Sequence, residues 1–128
     1  MITVGLVLAG IAALIHVLIF RMESMTWTTP KTRAVFGMDE QAARATREMA
    51  FNQGFYNLFL AIETVIGIVL VALGHTAVGA ALVLAGIGSM AAAALLLFAT
   101  SPDKRSAALK QGVIPAVGLV ALSLGLLL

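Results

Sequence analysis

Four long apolar runs dominate the chain, at about residues 2–20, 50–73, 77–99 and 113–128, and polar positions gather between them. Each run approaches the roughly 17–25 residues that a helix needs to cross a hydrocarbon core about 30 Å thick. The pattern predicts an all-α fold, an integral membrane four-helix bundle, with residues 1–128 forming a single transmembrane domain. All eight Lys and Arg residues fall in two of the connections. Arg21, Lys31, Arg33, Arg44 and Arg47 precede the second run, Lys104, Arg105 and Lys110 precede the fourth, and the Gly74-His75-Thr76 turn carries none. Positive charge concentrates on the cytoplasmic side. Loops 21–49 and 100–112 are therefore expected in the cytoplasm, with the short turn and both termini on the extracytoplasmic side, as in a multi-pass protein of the bacterial inner membrane.

The first run is expected to be a retained span rather than a cleaved signal peptide. Its first charge is Arg21, its apolar stretch exceeds a typical signal core, and Arg21-Met22-Glu23 stands where small residues would be needed for cleavage. The Ser24 to Gly37 stretch, with Thr28-Thr29-Pro30 and the lone Trp27, is expected to be an interfacial loop anchored by that indole. Asp39 suits the cap of a helix that begins near Glu40 and runs without interruption into the second span, with Gly54 as the expected bend. Ser101-Pro102-Asp103 has the form of a capped helix start. Pro115, inside the fourth run, removes the hydrogen bond to the Gln111 carbonyl. Small residues at four-residue spacing, Gly5, Ala9 and Ala13 in the first span and Ala77, Ala81, Ala85, Ser89 and Ala93 in the third, predict seams where helix backbones approach, within one bundle in preference to a dimer.

Composition reinforces the membrane assignment: 61% of residues are hydrophobic, 11% are charged, and the mean hydropathy is +1.06. A net charge of +2 could suggest nucleic acid, but the charges lie in short loops beside apolar helices. Anionic lipid headgroups are the expected partners of those loops, and nucleic acid is not. The chain has no cysteine, which excludes disulfides, thiolate metal sites and thiol catalysis.

The second span departs from plain membrane filler. Advancing about 100° per residue, Glu48, Asn52, Tyr56 and Glu63 fall within about 80° of arc, flanked on one side by Gln53, Asn57 and Thr64. A charged carboxyl at membrane depth costs at least about 2.5–3.5 kcal/mol, so this stripe is expected to face a bundle interior, a cavity or a partner rather than lipid. Two readings of Glu63 stay open, a proton carrier or a neutral carboxyl hydrogen-bonded to a neighbouring helix. His16 lies in the matching half of the first span, and Glu23, seven residues on, shares its face. The expected ligand-binding residues are thus His16, Glu23, Glu48, Asn52, Gln53, Tyr56, Asn57 and Glu63, around a polar pocket within the bundle opening to the cytoplasm. His16 and His75 are expected near opposite membrane faces, which excludes a bis-His haem in one copy. His16, Glu23 and Glu48 lack metal-ligand spacing, so no metal site is assigned, and no phosphate loop or nucleophile elbow is present. No cofactor is implied.

The run Asn52-Gln53-Gly54-Phe55-Tyr56-Asn57-Leu58-Phe59-Leu60-Ala61, with His16, Arg21-Met22-Glu23 and the four-span layout, resembles a family of small bacterial membrane proteins known as domain of unknown function 1304. The resemblance implies a four-helix membrane fold over essentially the whole chain and carries no activity. The residues themselves point first to binding or proton-coupled transport of a small polar or cationic solute, with a homo-oligomer needed to complete a pathway. An accessory or assembly subunit docking on another membrane protein is the alternative. An enzyme acting on a lipid or quinone, using a pair such as His16 and Glu48, ranks lower because no reaction type or catalytic residue can be read.

Overall fold

The structure, a computed structural model, describes residues 1–128. Its long helices are α1 (Ile2–Ser24), α4 (Arg47–Ala72), α5 (Thr76–Thr100) and α6 (Arg105–Leu127); two short ones, α2 (Pro30–Phe36) and α3 (Glu40–Ala45), lie between α1 and α4. Helix α1, α4, α5, and α6 with its preceding turn are each long and apolar enough to cross a membrane. They form a four-helix bundle in which α1 packs on α4, α4 on α5, α5 on α6 and α6 back on α1, with α1 and α5 meeting across the centre. Neighbours run antiparallel, as the paired approaches of Gly67 to Gly79 and of Thr64 to Gly86 require. Both basic loops therefore lie at one end of the bundle. Ala9, Ala12, Val83, Ile87, Met90 and Leu122 fill the centre.

The connections follow local chemistry. At the end of α4, Gly74 takes the left-handed conformation (φ 88°), His75 N–H donates to the Leu70 carbonyl at 2.9 Å and Gly74 N–H to Val71 at 3.0 Å. This is the Schellman arrangement, which satisfies orphan carbonyls and reverses the chain in one turn. The Ser24 to Gly37 stretch is more ordered than a loop: Thr29 caps α2, Pro30 opens it and Gly37 (φ 63°) ends it. Asp39 caps α3, its Oδ1 accepting from Ala42 N–H at 2.7 Å.

Helix α3 does not continue into α4. The break falls at Thr46 (φ −105°, ψ 6°), not at Gly54. Thr46 Oγ1 donates to the Ala42 carbonyl at 2.8 Å and accepts from Trp27 Nε1–H at 3.1 Å, so a tertiary contact fixes the corner. Trp27 packs against Phe36 with ring centroids 4.9 Å apart and the rings tilted by 55°, which makes it part of the loop's own packing. The fourth helix also starts differently. Pro102–Lys104 form a 3-10 turn, Ser101 makes no side-chain cap, and the α-helix begins at Arg105.

The two small-residue seams divide. Gly5, Ala9 and Ala13 are buried as expected, but Ala77, Ala81, Ala85, Ser89 and Ala93 are all exposed. The inner face of α5 is instead Gly79, Ala80, Val83, Gly86, Ile87, Met90 and Ala94.

Candidate functional site

The α1–α4 seam builds a polar junction towards the basic end. Gly54 lets α4 approach α1 closely: a Cβ there would lie 3.1 Å from Glu23 Cβ and from the Phe20 carbonyl. That approach puts Glu23, only 9% exposed, opposite Asn57, whose Nδ2 donates to Glu23 Oε2 at 2.7 Å. The same amide nitrogen also donates to the Gln53 carbonyl at 3.2 Å, so Asn57 is held by its own helix while it reaches across. Beside it Ser24 Oγ donates to the Phe51 carbonyl at 2.8 Å. Phe20 and Phe55 meet edge to face at 5.1 Å and cover the seam with aromatic surface.

His16 sits about 10 Å deeper along the same face of α1, two turns from Glu23. It is 2% exposed, and its Nδ1–H donates to the Ala12 carbonyl at 2.9 Å. In the neutral ring this bond fixes the proton on Nδ1 and leaves Nε2 as the acceptor. Thr64 is fully buried at the α4–α5 seam, where its hydroxyl donates back to Leu60 at 2.8 Å.

The remaining expected residues lie elsewhere. Glu48, Asn52, Gln53 and Tyr56 are exposed, Tyr56 at 66%, and Glu63 is partly exposed. Glu48, Asn52, Tyr56 and Glu63 do form one stripe, but on the outer side of α4, where no neighbouring helix of the bundle covers it. Asn52 donates back to the Glu48 carbonyl at 3.1 Å, and Glu63 makes no hydrogen bond or ion pair within the chain. The structure thus brings Glu23 and Asn57 together, places His16 deeper on the same face, and turns the other five away.

Two cavities stand out, and neither is lined by His16, Glu23 or Asn57. One of about 320 Å³ lies against the basic loops, lined by Thr28, Glu40, Arg44 and Arg47; the other, of about 300 Å³, lies between α5 and α6. Ser24, which ties α1 to α4, was missed by sequence reasoning. Its only signal was its place at the end of the first span, directly after Glu23.

Comparison with known families settles the kinship. The sequence profile of the family described as "Protein of unknown function (DUF1304)" matches residues 10–123. The chain belongs to the DUF1304 family. The match takes in most of α1 and α6 and everything between them, so the polar junction and the outer stripe both fall within the DUF1304 region. No curated protein and no solved structure matches the chain.

Proposed function

We propose that this DUF1304 protein binds a small cationic or polar solute at a site completed between copies of the chain, and exchanges a proton with it through Glu63. The observation that carries this reading is the state of Glu63: near the middle of an apolar run, partly exposed, and without a partner in its own bundle. Leaving a charged carboxyl facing hydrocarbon costs about 2.5–3.5 kcal/mol or more. A bound cation or a proton removes that cost, and competition between the two is what couples them. Asn52 and Tyr56, on the same stripe towards the basic end, supply an amide and a phenol for polar contacts along the approach. Both basic loops, on this reading, face the cytoplasm of a bacterial cell.

The centre of a single bundle is filled with apolar side chains, which favours a site on the outer face of α4 over a path through one copy. A second reading, docking on a different membrane protein, is favoured by the aromatic surface on that side, with Phe51, Tyr56 and Phe59 at least half exposed. The chain's lack of cysteine makes the two separable. With Tyr56→Cys as the sole thiol, oxidative crosslinking in membranes should give a dimer of the chain, and Val120→Cys on α6 should not. Capture of a heterologous protein alone would favour docking. In liposomes with an internal pH dye, monovalent cations and small amines should elicit proton release from the native chain but not from Glu63→Gln. Equal release from both would refute the role of Glu63.

A further inference from the structure

We propose that the groove between α5 and α6 at the basic end seats an acyl chain of an anionic phospholipid, with Arg105 holding its phosphate. Small residues make the groove. Ala94 and Gly112 meet so closely that a Cβ on Gly112 would clash with that of Ala94, and Ala91, Ala108 and Ala116 extend this floor. Larger side chains stand on either side: Leu95, Leu109 and Val113 are 70%, 52% and 51% exposed. The cavity holds about 300 Å³, and eight of its nine lining residues are hydrophobic. From Ala108 to Ala116 it follows α6 for about 12 Å, along the direction in which a lipid tail lies.

The basic end of the groove carries the matching charge. Arg105 lies seven residues before Gly112 and eleven before Ala116, so it falls on the same face of α6. Its Nε–H donates to the Phe98 carbonyl at 3.1 Å, and its guanidinium lies 4.9 Å over the Phe98 ring, itself part of the groove wall. These two contacts hold the planar group in place. They leave its terminal amino groups free, since neither makes a hydrogen bond or ion pair in the chain. A fixed guanidinium with free paired donors suits a phosphate oxygen pair, and the local charge of Lys104, Arg105 and Lys110 against Asp103 is positive. An apolar trough opening sideways and ending at a held cation fits a molecule with a long tail and an anionic head. A soluble solute would leave the trough unused, and a zwitterionic lipid would gain less from the cation.

The test is native mass spectrometry of the full chain released from detergent with equimolar dioleoyl phosphatidylglycerol and dioleoyl phosphatidylcholine. The native chain should retain phosphatidylglycerol about tenfold over phosphatidylcholine, the ratio expected of one charge-assisted contact. Arg105→Gln should bring that ratio close to one. Ala116→Leu, a change at an exposed position that fills the trough, should lower occupancy by both lipids. Arg44→Gln, a cation removed from the other basic loop, should alter neither. The proposal is overturned if Arg105→Gln keeps the preference, if Ala116→Leu keeps full occupancy, or if soluble glycerol phosphate displaces phosphatidylglycerol at equal concentration, which would leave the tail no part in binding.

Discussion

Replacing either glycine at the α4–α5 crossing by alanine should destabilise the bundle, whereas the same change at two other glycines should not. A Cβ on Gly67 would lie 2.7 Å from the Gly79 carbonyl oxygen and 2.8 Å from Val83 N; one on Gly79 would lie 2.6 Å from the Gly67 oxygen and from Val71 N. Ordinary contact begins near 3.4 Å, and the obstructing atoms include backbone on both sides, so relief requires the two helices to part by about 0.7 Å. Overpacking of this kind costs about 1–3 kcal/mol, and the rigid obstruction argues for the upper half of that range. Alanine's higher helix propensity offsets about 1 kcal/mol, leaving a net loss of about 1–2 kcal/mol. At Gly10 and Gly88 the nearest atom is a leucine or isoleucine methyl at 3.9 Å, so alanine there should be neutral or gain up to about 1 kcal/mol. Equilibrium unfolding in mixed detergent micelles, followed by far-ultraviolet circular dichroism, measures all four. Gly67→Ala and Gly79→Ala combined should cost less than the sum of the two, because one separation of the helices relieves both. The reasoning is refuted if the four variants are equally stable, or if Gly10→Ala and Gly88→Ala lose as much as the other pair.

Asn57→Leu removes the donor to a buried carboxylate and should cost about 1.5–3 kcal/mol in the same unfolding assay. Paired with Glu23→Leu, which removes the acceptor, in a double-mutant cycle, it should show a coupling of at least about 1 kcal/mol, and strict additivity would mean that the 2.7 Å contact contributes nothing. Trp27→Phe keeps an aromatic contact with Phe36 but loses the hydrogen bond to Thr46, so it should speed amide exchange around residues 42–50 without changing the span helices; unchanged exchange there would show that the corner does not depend on the indole.

The four spans and the all-helical bundle were legible because length and hydropathy are properties of a whole segment. Facing is not. Helices that are apolar all round carry little information about which side points inward, and the α5 seam shows how a plausible rule then fails. A step of four residues overshoots a full turn by about 40°, so a stripe running Ala77, Ala81, Ala85, Ser89, Ala93 winds about 160° around its helix and cannot follow one neighbour. Ala80, Val83, Ile87, Met90 and Ala94 alternate steps of three and four, which cancels the drift, and these are among the buried positions. On α1 the run Gly5, Ala9, Ala13 is too short for the drift to matter. The corner at Thr46 was illegible for another reason: it rests on Trp27, nineteen residues away, and nothing in the local pattern of residues 40–50 marks it.

The outer position of the polar stripe follows from a competition on α4 that sequence polarity alone did not resolve. Water rewards hiding apolar surface, but lipid does not, so a membrane helix chooses its inner face by how closely its backbone can be approached. Ala50, Gly54, Ala61, Thr64 and Gly67 form such a face in steps of three, four and seven residues, and α1 and α5 both pack against it. Asn57 and Glu23 lie within that contact and satisfy each other there. Glu48 stands about 120° or more around the helix from Ala50, Gly54 and Ala61, and Asn52, Tyr56 and Glu63 accompany it. Both faces of α4 call for a partner, the first for shape and the second for polarity, and one bundle has enough neighbours only for the first. A carboxyl, an amide and a phenol left outward along one helix are what the proposed association beyond the single chain would cover, and Glu63 is the residue at which that proposal is tested.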